Sequence, residues 1–391
     1  MPGDSSFARK VAAALITAVG VCLVAGIYSF SIDTKSVTAR DFIEYWAAEK
    51  QLADGANPYD VNAIFRMEKS LGMEGNEPKL TLSPPVAFFF ALPLAWLPAK
   101  PALILSMILQ LAAAGVCAWL LWVIYGRRDT RLHLLVFAFP PTIASLMAGQ
   151  LGVLFLLAFV LFLYLLKSRP WIAGAALLPC ALKPHLFLAC IVVLLLGSAR
   201  RRDFRVVGGF LIALAASSAL TLSLDRDIWQ QYRQLMQSAR IMDVFLPTMG
   251  VALRFLIDRQ AKWIEFVPAA LGCAWAAWFY WMRRESWEWK NEGLLVLLVS
   301  VACSPYSWFS DQVLLFPAVL VGMFAAENDR WDWILLGLIV AASAPGVIFG
   351  IQLPSPFYLW TAPAWLLWYL IATRGKSGAG LANAEMTAMA E

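Results

Sequence analysis

The sequence predicts an all-α polytopic membrane protein, and three observations carry that prediction. Of its 391 residues 61% are hydrophobic and only 15% charged, with a mean hydropathy of +0.68. Apolar runs recur along the chain, enough for about twelve spans of about 20 residues each. Basic clusters fall between those runs in a one-sided pattern, as expected where Lys and Arg set orientation. The same composition excludes a soluble enzyme, a disordered chain and a nucleic-acid-binding domain. The net charge of +5, from 31 basic and 26 acidic residues, therefore reads as a topology signal, and no nucleic-acid partner is expected.

Taken in order, Arg9 and Lys10 precede the apolar stretch 11–30, which is long for the core of a signal peptide and reads as a retained first span. A polar stretch over 31–81 follows, with nine acids and six bases, and is expected to form the first outer loop. The segment 81–98 (TLSPPVAFFFALPLAWLP) reads as a re-entrant hairpin, because a full crossing there would put the later arginine clusters on alternating sides. Further runs lie near 101–125, 132–148, 150–166, 170–183, 185–197, 205–224, 263–282, 291–303, 311–326, 331–351 and 357–373. Threaded from a cytoplasmic N-terminus, they place Arg127/Arg128/Arg131, Lys167/Arg169, Arg200/Arg201/Arg202/Arg205, Arg283/Arg284 and Arg374/Lys376 on the cytoplasmic side. The second long outer stretch is 225–262. The expectation is one integral-membrane unit over 1–373, with both termini cytoplasmic, and a flexible cytoplasmic tail over 374–391.

Several tryptophans near span ends, among them Trp119, Trp171, Trp263 and Trp331, fit interfacial belts. The six cysteines all sit in apolar runs without a CxxC pair and read as packing residues. Two histidines far apart leave little for a metal cage or a Ser-His-Asp triad.

Polar chemistry concentrates on the predicted outer face. Asp41 to Gly55 reads as an amphipathic helix lying on the membrane surface, with Thr38 as N-cap and Gly55 as its stop. Asp41 and Glu44, three apart, share one face; a plain capping role for Asp41 is compatible with the same pattern. Asn57-Pro-Tyr59-Asp60 is a turn signal with an aromatic and an acid. Between spans come three polar interruptions: Gly149-Gln150, Lys183-Pro184-His185, and the stretch from Ser304 to Gln312. A lysine between apolar runs needs water or an anion, which singles out Lys183. Asp311 and Gln312 also fit ordinary first-turn helix residues. Together these segments bring Asp41, Glu44, Tyr45, Tyr59, Gln150, Lys183, His185, Tyr306, Trp308, Asp311 and Gln312 to one membrane face, with Arg240 in the second outer loop. A base, cations and polar side chains beside lipid suit a lipid-linked glycosyl donor.

At these residues the chain resembles glycosyltransferase family 87, the polyprenyl-phosphate-mannose-dependent group of GT-C membrane glycosyltransferases. The matching pieces are Asp41-Phe-x-x-Tyr-Trp-Ala-Ala, Gly55-x-Asn-Pro-Tyr-Asp60, Ser83-Pro-Pro85 before an apolar run ending Leu-Pro98, Gly149-Gln150, Lys183-Pro184 and Ser304-Pro305. The chain departs from the family at Ser83, His185 and Tyr306, where members often carry Tyr, Gln and His. The resemblance implies a twelve-span GT-C fold and an outward-facing site with Asp41 as catalytic base. It also implies transfer of one sugar, mannose by default, from a polyprenyl phosphate to a lipid or glycan hydroxyl, with inversion. Lys183 and Arg240 are the expected cations for the leaving phosphate. The scheme demands no cofactor and no metal, Asp41 and Glu44 alone being a poor divalent site. The expected location is multi-pass in the bacterial inner membrane, with the site on the periplasmic side. A transporter or flippase of lipid-linked glycans shares the span count, and a surface-glycan ligase or polymerase shares the outer site but uses a diphosphate-linked donor.

Overall fold

The computed structural model describes residues 37–125, 131–238, 245–326 and 329–374. The expected first span, Cys22, Arg240 and the tail from 375 onward lie outside the described residues. Among the described residues there is helix and no β-strand.

The first outer stretch forms two helices, α1 (Phe42–Ala53) and α2 (Val61–Ser70). Gly55 ends α1 in a left-handed conformation (φ +72), which a glycine adopts without penalty. Asp60 caps α2, its carboxylate accepting the Asn62 and Ala63 N–H groups at 2.9 and 3.0 Å. The expectation of a surface-lying amphipathic α1 does not hold. Phe42, Ile43, Tyr45, Trp46, Ala47, Ala48, Glu49 and Leu52 are all buried, because α1 packs against α2, the segment after Pro85 and the first long helix. α2 is the amphipathic one, burying Ile64 and Glu68 on one face.

Segment 81–98 is not a continuous helix. It runs through a 3₁₀ turn (Pro85–Ala87), one α turn (Phe88–Ala91) and a second 3₁₀ turn (Leu92–Trp96), broken by its prolines. The bundle follows: α3 (Ala99–Tyr125), α4 (Pro140–Ala148), α5 (Gly152–Leu165), α6 (Pro170–Ala176), α7 (Leu188–Arg201), α8 (Arg205–Leu224), α9 (Ile228–Ser238), α10 (Met249–Ile257), α11 (Val267–Arg283), α12 (Glu292–Ala302), α13 (Phe316–Ala325), α14 (Arg330–Phe349) and α15 (Thr361–Thr373). Among the described residues four helical segments are long and apolar enough to cross a membrane: Ala99–Tyr125, Pro184–Arg201, Arg205–Leu224 and Arg330–Phe349. Several of the other apolar runs are shorter or broken by proline; the run at 132–148, for instance, is split before Pro140-Pro141. The protein is a helical integral membrane protein.

One extended apolar core joins most of these helices, with Trp365 and Trp368 fully buried in it, while α9 packs in a separate cluster with Tyr59 and Phe88. Gly322 leaves room for the Trp368 ring, and the indole N–H donates to the Asp332 carbonyl at 2.9 Å. α6 and α8 cross backbone to backbone. A Cβ on Gly174 would overlap the Val206 carbonyl, and one on Gly209 the Trp171 carbonyl, the small-residue contact typical of helices in lipid.

The bundle has two chemically different ends. α5 leaves Gln150 and finishes at Lys167; α7 leaves His185 and finishes at Arg200 and Arg201; α12 starts beside Lys290 and leads to Ser304. At one end Lys167 pairs with Glu288 (3.0 Å), Arg200 with Glu285, and the Tyr125 hydroxyl donates to the Lys290 carbonyl (2.8 Å). The polar interruptions gather at the other end, about 20 Å away along α5.

Candidate active site

The site begins with how α1 meets α4. α4 stops at Gly149, whose φ of +69 turns the chain sharply, and a Cβ there would strike Phe42. The close approach lets the Asp41 N–H donate to the Ala148 carbonyl at 2.9 Å. Thr38 is therefore not the N-cap of α1; Asp41 stands there, but its side chain caps nothing in the helix. Its carboxylate is turned outward instead. Oδ2 accepts Gln150 Nε2–H at 2.7 Å, and Oδ1 lies 3.8 Å from Lys79 Nζ.

A polar chain runs back from Asp41. The Tyr45 hydroxyl donates to Gln150 Oε1 at 3.0 Å, and Glu44 lies within hydrogen-bonding reach of Tyr45. Burial pushes the Glu44 carboxyl up to about 8, and the neighbouring Asp41 charge adds to the effect against smaller pulls from Tyr45, Lys183 and Lys79. Tyr45 spends its one proton on Gln150 and so orients that amide toward Asp41. Two carboxyls three residues apart thus stand in different environments, with Asp41 at the accepting end.

The second half of the site is an ion pair. Lys183 Nζ donates to Asp311 Oδ1 at 2.7 Å, with the two side chains 13% and 0% exposed. Asp311 Oδ2 also accepts the Trp308 N–H at 3.0 Å, so it serves both as first-turn helix residue and as counter-ion. Burial pulls the Lys183 ammonium down, but Asp311, Tyr306 and Glu44 together outweigh that and hold it above the usual lysine range. Lys183 also faces the Tyr306 and Phe155 rings at 5.8 and 6.0 Å. The His185 ring meets Tyr306 edge-on with centroids 5.2 Å apart, and Trp308 Nε1–H donates to the Tyr306 hydroxyl at 3.2 Å. Glu44 feels both Asp41 and Lys183, which joins the two halves into one cluster.

Asp41, Glu44, Tyr45, Gln150, Lys183, His185, Tyr306, Trp308 and Asp311 are accordingly brought together. Tyr59 and Gln312 are employed elsewhere. Tyr59 is buried between Phe88 and Tyr232, and its hydroxyl donates to the Ser83 carbonyl at 3.0 Å. Gln312 is buried and donates to Thr361 Oγ1 at 2.7 Å. Arg240 lies outside the described residues.

Sequence reasoning missed Lys79 and Glu68. Lys79 follows Pro78 in an irregular polar loop, where no periodicity marks a functional position. Glu68 had a signal, lying four residues after Ile64 and hence on the buried face of α2. It is fully buried, and both its carboxylate oxygens accept the Lys79 backbone N–H at 3.2 Å. Arg40, also buried beside Asp41, is lowered to about 10 by burial, partly offset by the Asp41 charge. Among the described residues no group of three or more His, Cys, Asp or Glu is placed to hold a metal ion.

The family model of glycosyltransferase family 87 matches residues 82–305, more than half of the chain. The chain belongs to glycosyltransferase family 87. The matched stretch contains Gln150, Lys183 and His185; Asp41, Glu44 and Lys79 precede it, and Tyr306 and Asp311 follow it directly. No curated protein and no solved structure matches the chain significantly. Family and fold agree on a membrane-embedded glycosyltransferase.

Proposed function

We propose that this glycosyltransferase moves a single sugar, mannose by default, from a polyprenyl phosphate to a lipid or glycan hydroxyl, inverting the anomeric centre, with Asp41 as general base. The observation that carries the reading is the way Asp41 is held. Gln150 binds one oxygen of a half-buried carboxylate, and the other is directed toward the polar cluster. A base fixed on one side by Gln150, with its other oxygen only loosely faced by Lys79, is suited to take a proton from an acceptor placed against it.

In the reaction the acceptor O–H gives its proton to Asp41 Oδ1 as its oxygen bonds to the anomeric carbon. On the opposite face the bond from that carbon to the phosphate oxygen breaks, and the electron pair leaves with the prenyl phosphate. The leaving group is already anionic, so no acid is needed; a cation suffices. Lys183 is the family-matched cation, although its ammonium is committed to Asp311. Tyr45 holds Gln150, and through it Asp41, with Glu44 beside Tyr45. The broken segment 81–98, read as re-entrant, borders α1 and gives the prenyl tail an apolar lodging.

The location proposed is the periplasmic side of a bacterial inner membrane. Its support is the separation of the cluster from the arginine-rich end of the same helices. The test is purified protein in lipid with radiolabelled prenyl-phosphate sugars and candidate glycolipid acceptors. Donor-dependent label should appear with the wild type and vanish with Asp41→Asn and Asp41→Ala, while both variants still insert and accumulate. Full transfer by either variant removes Asp41 from the role; label from diphosphate-linked oligosaccharides alone identifies a ligase instead.

A further inference from the structure

Lys79 is a cation with a fixed root and an uncommitted end. Its backbone N–H is gripped by both oxygens of the fully buried Glu68, whose own carbonyl accepts the Leu71 and Met73 N–H groups and so closes the turn after α2. Burial pushes the Glu68 carboxyl up, while Lys79, through its N–H and its charge, pulls it back. From that anchor the side chain reaches Asp41 and stops at 3.8 Å, and the buried ammonium makes no hydrogen bond. A buried ammonium without hydrogen bonds is costly. The contact satisfies neither partner well, since Asp41 already has Gln150 at 2.7 Å. By contrast Lys183 is held at 2.7 Å by Asp311. Of these two lysines, Lys79 is the one that can be claimed by an arriving anion at little cost.

We infer that Lys79 is an exchangeable counter-ion: it rests against Asp41 until the phosphate of the lipid-linked donor arrives, then turns to that phosphate and frees the Asp41 oxygen it faced. This rests on the reading of the site as one for a prenyl-phosphate sugar. It adds that donor arrival releases Asp41, so that the base is not freed before there is a sugar to transfer. Glu68 acts through Lys79 as a positioning residue. Binding the donor's phosphodiester in this way requires the ammonium to swing from a carboxylate oxygen to a phosphate oxygen, which a flexible four-carbon stem allows and a planar guanidinium does less readily.

The experiment measures binding of a short-chain prenyl phosphate to the full chain in neutral-lipid nanodiscs, with inorganic phosphate and anionic phospholipid as separate arms. Lys79→Met should weaken prenyl-phosphate binding about tenfold or more, Lys79→Arg should restore part of it, and Glu68→Gln should fall between. In turnover the loss should fall on KM for the donor more than on kcat. The decisive comparison is a cycle with Asp41→Asn. Removing that carboxylate should tighten prenyl-phosphate binding, and more so with Lys79 present than in the Lys79→Met background, because only then is a competitor for the lysine removed. Equal tightening in both backgrounds, or Lys79→Met binding like the wild type, overturns the exchange. If Lys79→Met does not accumulate, the Asp41→Asn and Lys79→Arg arms decide alone: no tightening by Asp41→Asn overturns it. Competition by inorganic phosphate or anionic phospholipid as strong as by prenyl phosphate also overturns it, since the site then does not select the donor. A wild type that neither binds prenyl phosphate nor transfers from it sinks the proposed function itself, which is a different result.

Discussion

The Lys183–Asp311 pair makes a prediction that is asymmetric between its two members. Asp311 is completely buried, and apart from Lys183 its carboxylate has the Trp308 N–H at 3.0 Å. Lys183 keeps 13% exposure and has two aromatic faces about 6 Å away. Lys183→Met therefore strands a buried carboxylate, at a cost of roughly 3–5 kcal/mol. Asp311→Asn strands an ammonium that retains some water and the Tyr306 and Phe155 rings, and about 2 kcal/mol is expected. In the double variant Lys183→Met/Asp311→Leu no charge is left behind, and stability should return to within about 1–2 kcal/mol of the wild type. Thermal unfolding in detergent of all four proteins, under one protocol, ranks them: wild type, double variant, Asp311→Asn, Lys183→Met. If Lys183→Met unfolds at the wild-type temperature, or the two single losses simply add in the double variant, the pair is not a buried, mutually dependent contact and the argument fails.

Two further outcomes follow from the same geometry. Because the Glu44 carboxyl is raised to about 8 from an ordinary 4.5, the folded state holds a proton that the unfolded chain has already released. Folding stability should then fall as pH rises from about 4.5 to about 8 and level off above, and Glu44→Gln, which is neutral throughout, should flatten that slope in pH-dependent thermal unfolding; an unchanged slope refutes it. Gly149→Ala adds a Cβ at φ +69 in the path of Phe42; it should cost about 1–3 kcal/mol and reduce transfer by displacing Gln150 from Asp41, read as lost activity in protein that still accumulates at a lower melting point, and a variant with wild-type melting and transfer counts against it.

The helical class was legible because apolar content and run length are dictated by the membrane itself. Most site residues were legible too, since a polar side chain that interrupts an apolar run has few structural excuses; Gln150, Lys183 and Asp311 each stood at such a break. What failed were inferences that need tertiary contacts. α1 carries acids at Asp41, Glu44 and Glu49 that suggest a wet face, yet Glu49 is buried and the helix is enclosed by neighbours invisible in its own pattern. Tyr59 looked like a ligand residue because it sits in a motif, but its hydroxyl supports the Ser83 carbonyl. Lys79 was missed because an irregular loop offers no period, and only the carboxylate of Glu68, on a different element, fixes where it points.

The glycine crossing of α6 and α8 limits where a long apolar chain can lodge between helices. Gly174 meets Val206, and Gly209 meets Trp171, close to the first residues of both helices and therefore near Arg169 and Arg205. With main chains touching there, no wedge fits between them at that level. The opposite half of α8 packs against segment 81–98, where the Ser217 hydroxyl donates to the Val86 carbonyl at 3.2 Å. The pair is thus pinned like a clothes-peg at its arginine end, so an apolar chain lodging against α8 must do so farther along the helix.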